Sequence, residues 1–282
     1  MNSRPDRGRD QTPCEEIVYI GRLMYDHGYA VANDGNISVR LDAERVMCTP
    51  SGLCKGMMCA DQMIIVNMEG RKMGPETAAN RDLVPTSEMF MHLEVYRQRP
   101  DVQAVVHAHP PTTVALSIAG VSLADCMLPE VIVKLGLVPT APYSTPASPE
   151  MVTAIRDLIV NHDGIILERH GTLTVGSSLL DAYMRMETLE QIAKITVVLE
   201  QLGKGAPLPP EQVEKLLAQR RKMGLALPGE EEEFCRVCGV CSPSAGRSDA
   251  IPDSSPADVP PSQAELVYVV TQAVLRELGY GG

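Results

Sequence analysis

Three histidines in this chain are spaced so that one metal ion could reach them all. His107 and His109 are separated by a single residue in Val105-Val106-His107-Ala108-His109. That run reads as the end of a β-strand. Along a strand, residues i and i+2 share a face, so both imidazoles can address one ion. His170 stands before Gly171, between two more strand-like runs. Three neutral imidazoles around an open position make the donor set of a catalytic zinc site. Taken alone, His-x-His describes a pair of partly buried histidines just as well, and the surrounding sequence tips the balance. Pro85-Thr86-Ser87-Glu88 places two hydroxyls and a carboxylate at a junction of loop and helix. Hydroxyls and backbone N–H groups at a helix start favour phosphate, and a carboxylate beside a metal can act as a general base. Gly35-Asn36-Ile37-Ser38 and Thr49-Pro50-Ser51-Gly52 are two further small polar turns of the kind that cradle anions.

The elements that must position these groups follow from periodicity. Ile17, Ile20, Leu23 and Met24 recur at helical spacing between Pro13 and about Gly28. Asn33-Asp34-Gly35-Asn36 is a turn cluster. Strands are predicted over Ile37–Leu41, Val46–Thr49, Met63–Met68, Val102–Ala108, Gly164–Leu167 and Thr172–Val175. Helices are predicted over Ser87–Arg97 with Thr86 as N-cap, and over Thr112–Ile118, Leu179–Leu202 and Pro210–Met223. Strands and helices mix without a regular βαβ repeat, which predicts a layered α/β fold rather than a barrel.

Composition narrows the function further. A formal net charge of −11 argues against nucleic acid or an anionic membrane as a general partner. No run approaches the ~20 apolar residues of a membrane span. The polar, arginine-bearing start, Met1 to Asp10, lacks the apolar stretch of a secretory signal, which points to a cytoplasmic protein. Eight cysteines in that setting are expected to be packing residues or ligands rather than disulfide partners. Cys48, Cys54, Cys59 and Cys126 read as core or turn residues. With no Trp and two Phe, the core must be built from Val, Ile, Leu, Met and Ala.

After about Leu227 the composition changes. Three segments are expected: a folded domain over 13–225, a flexible linker over 226–261, and an amphipathic helix within 262–282. The linker carries the acidic run Glu230 to Glu233 and many Ser, Pro, Asp and Ala residues. It also carries Cys235-x-x-Cys238-x-x-Cys241, whose spacing is metal-like. Three thiols fall short of the usual four for structural zinc or an iron–sulfur cluster. Cys14 or a neighbouring subunit could supply more, and a thiol-bearing linker is the simpler expectation. In the last segment Val267, Val270, Val274 and Leu278 line one helical face, and Gly279 stops the helix. So short an isolated helix is marginal in water and calls for a partner.

Together these motifs, in this order and spacing, resemble the class II aldolase/adducin family over roughly Pro13 to Met223, and within it the branch acting on L-fuculose 1-phosphate. The resemblance implies a three-layer fold, a mixed central sheet flanked by helices, in a homotetramer with its sites at subunit interfaces. It makes His107, His109 and His170 the ligands of one Zn2+ per subunit, or of another divalent metal. Glu88 becomes the acid/base carboxylate that also approaches the metal. Asn36, Ser51, Gly52, Thr86 and Ser87 fall on phosphate-binding positions. The implied reaction is retro-aldol cleavage of a ketose 1-phosphate, of the L-fuculose or L-rhamnulose type, to dihydroxyacetone phosphate and lactaldehyde. One departure stands out: the family's aldehyde-side tyrosine aligns with Val133 of Leu128-Pro129-Glu130-Val131-Ile132-Val133, and Tyr143 downstream is a weak substitute. A pentulose-phosphate 4-epimerase or thioribulose-phosphate dehydratase on the same scaffold is the enzymatic rival. A non-enzymatic adducin-like interaction module is the other, although such members typically lose the metal histidines. The tail, a short helix behind a Pro/Ser-rich linker, resembles the peptides that direct enzymes into bacterial microcompartments. Microcompartment shell or cargo proteins are therefore its expected partners.

Overall fold

The computed structural model describes residues 12–203 and 205–240. The first helix, α1 (Pro13–Asp26), starts where the sequence says it should. Thr12 accepts from the Glu15 backbone N–H at 3.4 Å, and the Glu15 carboxylate accepts from the Thr12 N–H at 2.9 Å. This capping box satisfies two N–H groups that the helix leaves unpaired. Ile17, Ile20 and Met24 form its buried face.

Eight strands make one sheet: β1 (Asn36–Arg40), β2 (Arg45–Cys48), β3 (Ile64–Asn67), β4 (Lys72–Met73), β5 (Ala104–Ala108), β6 (Thr140–Ala141), β7 (Gly164–Leu167) and β8 (Gly171–Gly176). Their order is β4-β3-β2-β1-β5-β8-β7-β6. Every pair is antiparallel except β6 with β7, so the sheet is mixed. The remaining helices are α2 (Met89–Gln98), α3 (Pro111–Ala119), α4 (Pro129–Lys134), α5 (Pro149–Ile159), α6 (Leu179–Leu202), α7 (Pro210–Lys222) and α8 (Glu230–Cys238).

The alternation of β5 divides the core into two faces. Val105 packs with Leu93 and Val95 of α2 and with Ile155 and Ile159 of α5. Ala104, Val106 and Ala108 pack with Ile17, Ile20 and Met24 of α1 and with Ala182 and Met186 of α6. The result is the expected three-layer α/β fold. Both faces of the central strands are covered, which is why they read as unbroken apolar runs.

The structure corrects three readings. Helix α2 begins at Met89, not Ser87. Glu88 occupies the cap position with non-helical dihedrals, and Thr86 Oγ1 only accepts from the Glu88 N–H at 3.4 Å. The expected linker instead begins with a helix. The glutamates Glu230 to Glu233 fill the first turn of α8, where carboxylates oppose the positive end of the helix dipole. Phe234 is fully buried, the Arg220 guanidinium donates to Glu230 at 2.9 Å, and His162 Nε2 lies 2.8 Å from Glu233. Finally, Cys126 and Cys238 are joined by a disulfide rather than standing as thiols, their Cα atoms 6.1 Å apart across 112 residues of sequence. No local pattern announces such an encounter, because the fold alone creates it. Cys14, Cys48, Cys54 and Cys59 are free thiols. The helix expected within 262–282, and Cys241, lie outside the described residues. No described helix is long and apolar enough to cross a membrane.

Candidate metal centre

The three histidines meet at the end of the β5–β8 pair. His107 sits on β5 opposite Leu173, and His109 follows the strand, held by its N–H to the Tyr29 carbonyl at 2.8 Å. His170 lies in the tight connection between β7 and β8. The chain turns there through Arg169, a non-glycine residue with φ of 59°. That backbone is costly for a side-chain-bearing residue and is typical of functional sites. It is braced by the Arg169 N–H donating to Ser117 Oγ at 3.0 Å. Gly171 must be glycine, since a Cβ would stand 2.4 Å from the Ala108 carbonyl, 2.7 Å from His109 and 3.0 Å from His107.

The imidazole ring centroids lie 4.8, 4.9 and 5.0 Å apart, and each ring offers a nitrogen within 4.8 Å of the others. His107 Nδ1 is 2.8 Å from the Thr172 carbonyl. As the donor to that oxygen it leaves Nε2 as the ligand atom, the usual backbone device for fixing a metal-binding tautomer. His107 Nε2 faces His109 Nε2 at 3.1 Å and Glu88 Oε2 at 3.1 Å, while His170 Nε2 lies 3.4 Å from Glu88 Oε1. Asp34 Oδ2 stands 3.5 Å from His109 Nδ1. Side-chain exposure rises from 0% at His107 to 11% at His170 and 27% at His109, so the centre opens on the His109 side. Three imidazoles and a carboxylate turned toward one point are an electron-rich donor set that fits a divalent cation.

The charges agree. Burial alone would raise the Glu88 carboxyl, but the His107 charge and hydrogen bond, the Asn36 hydrogen bond and His170 hold it well below the usual range. Burial and the neighbouring His107 push His109 and His170 down to about 4, which keeps both neutral and ready to bind. Burial would lower His107 too, yet facing Glu88 raises it. Ionised Glu88 thus favours a proton on His107, in the place a cation would take.

Behind Glu88 runs a buried chain of polar groups. The Asn36 amide donates to Glu88 at 2.8 Å and its carbonyl lies 2.5 Å from His92 Nε2. His92 Nδ1 is 2.7 Å from Ser38 Oγ, which is 2.9 Å from the Tyr96 hydroxyl. Asn36 is 4% exposed with both ends of its amide engaged, so it stands as a strut for Glu88. The other phosphate candidates sit on two loops joined side by side. Pro50 bridges Pro85, the Ser51 N–H donates to the Val84 carbonyl at 2.9 Å, and the Thr86 N–H donates to the Thr49 carbonyl at 3.2 Å. Ser51, Gly52 and Ser87 are exposed there and Thr86 is buried. A cleft of about 470 Å3 opens beside Ser87 and Glu88, with Arg97 and Arg156 among its walls.

Sequence reasoning missed His92, Tyr96, Asp34 and Lys55. The first two had a signal: Asn36 and Ser38 alternate on one strand face, and His92 and Tyr96 stand one turn apart on a helix. Lys55, 2% exposed, donates to the carbonyls of Asn33 and Leu53 at 3.0 and 2.7 Å. Val133 is buried in α4, and Tyr143 is 58% exposed, with its backbone N–H tied to Glu168.

Comparison with known proteins matches residues 15–197 to the Class II Aldolase and Adducin N-terminal domain. An L-fuculose phosphate aldolase of Methanococcus vannielii is 34% identical over 193 residues, covering 67% of this chain and 98% of that protein. A 3-oxo-tetronate 4-phosphate decarboxylase of Haemophilus influenzae is 32% identical over 195 residues, covering 68% of this chain and 90% of that one. Among solved structures, an L-fuculose-1-phosphate aldolase from Thermus thermophilus superposes with a TM-score of 0.57 at 30% identity, covering 69% of this chain and 97% of that chain.

Proposed function

The chain belongs to the class II aldolase and adducin family, and from that premise we propose that it is a metal-dependent lyase cleaving a ketose 1-phosphate of the L-fuculose or L-rhamnulose type to dihydroxyacetone phosphate and lactaldehyde. The observation that carries this reading is the convergence of Glu88 with His107, His109 and His170. His107, His109 and His170 would hold the cation, zinc by the chemistry of the donor set. Bound there, it would act as a Lewis acid toward the substrate's carbonyl and hydroxyl oxygens and carry the negative charge of the enediolate. Glu88, kept ionised and aimed by Asn36, takes up a proton during cleavage and returns it to the enediolate carbon. Ser51, Gly52, Thr86 and Ser87 bind the phosphate through hydroxyls and loop N–H groups. By resemblance the working form is a homotetramer.

A second reading rests on the missing tyrosine. In the family a tyrosine serves as acid/base for the leaving aldehyde, and Val133 at the aligned position cannot, so sugar cleavage would leave that hydroxyl proton to Glu88 alone. Loss of CO2 from a 3-oxo-tetronate 4-phosphate needs no such group and leaves the same enediolate. Incubation with each substrate separates the two. Release of lactaldehyde with dihydroxyacetone phosphate supports the aldolase, and CO2 with the same triose phosphate supports the decarboxylase. Turnover of neither, with full metal occupancy, rejects both.

The segment 262–282 we read as a recognition helix for microcompartment shell or cargo proteins, carried by Val267, Val270, Val274 and Leu278. Fused to a fluorescent protein and co-expressed with shell proteins, it should give puncta that Val270→Glu disperses. Diffuse fluorescence in both would remove the targeting role and leave the chemistry untouched.

A further inference from the structure

Strand β1 and helix α2 meet rung by rung. Asn36, Ser38 and Arg40 alternate along β1 and share one face. Glu88, at the cap of α2, is followed by His92 and Tyr96 at intervals of four. Two residues of strand rise ~6.6 Å and four residues of helix ~6 Å, so the two rows keep step. Arg40 lies over the Tyr96 ring, 4.7 Å from its centroid, and donates to the Tyr96 carbonyl at 2.7 Å. From the Tyr96 hydroxyl the contacts run unbroken through Ser38, His92 and Asn36 to Glu88. Ser38 and His92 are fully buried, Tyr96 is nearly so, and no buried polar atom of the run lacks a partner. Asn36 lies opposite His107 in the β1–β5 register, which anchors the ladder beside the histidine centre.

The donors of this ladder can point in only one direction. Ionised Glu88 accepts and cannot donate, so it takes the Asn36 amide N–H and turns the Asn36 carbonyl toward His92. His92 Nε2 must then carry the hydrogen and donate to that carbonyl. Its Nδ1 accepts from the Ser38 hydroxyl, and Ser38 accepts from the Tyr96 hydroxyl. With the hydrogen on Nδ1 instead, His92 would meet Asn36 with a lone pair. The amide would turn over and present its oxygen to the Glu88 carboxylate. Burial pushes His92 down to about 3, so the ring holds one N–H rather than two.

We propose that His92 is a positioning residue for the lyase reaction: its Nε2–H fixes the Asn36 amide, and through that amide it aims the Glu88 carboxylate at the histidine centre. The proposal rests on the reading of Glu88 as the acid/base group. Held in this way, Glu88 meets His107 Nε2 with one oxygen and His170 Nε2 with the other. Without the Nε2–H the Asn36 amide is free to turn, and its oxygen repels the carboxylate. The rate falls, while the three metal-ligand histidines and the phosphate loops, to which His92 makes no hydrogen bond, stay in place.

Two amide variants separate positioning from the mere filling of space. In His92→Gln the side-chain nitrogen reaches as far as the ring Nε2, and in His92→Asn it stops near Nδ1. In the full, metal-loaded chain His92→Asn should lower kcat ~10–100-fold, the usual cost of removing a group that orients a metal site, with KM and metal content near those of wild type. His92→Gln should recover most of that loss. Asn36→Ala should also lower kcat, and adding His92→Asn to it should cost nothing more, because His92 acts through Asn36. Wild-type kcat in His92→Asn overturns the proposal, as do equal losses in the two amide variants or a further loss in the double variant. Neutron diffraction from wild-type crystals decides the matter even where a variant fails to fold. Hydrogen on His92 Nε2, with the Asn36 N–H toward Glu88, is expected, and hydrogen on Nδ1 overturns the proposal. Failure of the lyase reading looks different: Glu88→Gln would keep near-normal kcat, or the wild type would turn over no sugar phosphate. The hydrogen positions are read without turnover and stand apart from both.

Discussion

The histidine centre and the cysteine corner each bring together side chains from distant parts of one chain, and they do so in opposite ways. The histidine centre is built on adjoining strands, with the His107 ring held by the Thr172 carbonyl and a buried polar chain behind Glu88. One side stays open, and its donors are neutral imidazoles. The cysteine corner is built on a nine-residue helix and a loop over a small apolar core, and the Cys126–Cys238 disulfide closes it. A metal site with three protein ligands leaves a position open for substrate, whereas a disulfide only holds structure. The contrast teaches that the same kind of gathering serves chemistry where the scaffold is rigid before the metal arrives. It serves stability where the scaffold depends on the clamp.

The largest expected effect isolates chemistry from architecture. Glu88→Gln should reduce kcat ~10²–10⁴-fold, the usual contribution of a general acid–base group, with metal content and Tm near those of wild type. Near-normal kcat would make Glu88 a structural carboxylate. On the other side, Arg220→Ala should destabilise by about 3 kcal/mol or more, because it leaves Glu230 buried without its ion-pair partner. Chemical denaturation would show this as a lower midpoint, and kcat per folded molecule should hold. A large loss of kcat with an unchanged midpoint would mean that the two regions are coupled, contrary to the comparison.

The two regions also differed in how far the sequence disclosed them. His107, His109, His170 and Glu88 were readable because strand spacing and small polar turns are local patterns. Helix α6 was readable to the residue because it is long and capped at both ends. Helix α5 was not named, although Met151, Ile155 and Ile159 recur at intervals of four. Pro142, Pro146 and Pro149 break up the stretch that leads into it. The partnership of Asn36 with His92 depends on β1 lying under α2, and the meeting of Cys126 with α8 depends on the whole fold. Glu230 to Glu233 and Cys235 looked like linker because charge and thiols weigh against burial. In fact the acidic run starts a helix whose only deep anchors are Phe234 and the paired Glu230.

The smallest expected effect compares the buried cations of the two regions. Arg220, under the cysteine corner, has a carboxylate partner in Glu230 and a further bond to the Val133 carbonyl at 2.9 Å. Lys55, beside the histidine centre, makes its hydrogen bonds to two carbonyls. Burial pushes its ammonium down to about 8, against the opposing pull of Cys54, Asp34 and Glu88. The sign follows from linkage. The unfolded chain keeps this lysine protonated up to its ordinary value near 10.5, while the folded protein releases the proton from about 8. Between those values the unfolded state binds more protons, so stability rises with pH. From pH 7.5 to 9.5 the gain should be on the order of 1–2 kcal/mol, because neutral Lys55 no longer bears the cost of a buried charge. Denaturation midpoints of wild type and Lys55→Met across that range test it. The variant should show a flatter pH dependence than wild type, and an equal slope in both would place the titrating group elsewhere. A flat wild-type profile would mean that the carbonyls and nearby carboxylates hold the ammonium charged, making Lys55 as fixed a cation as Arg220.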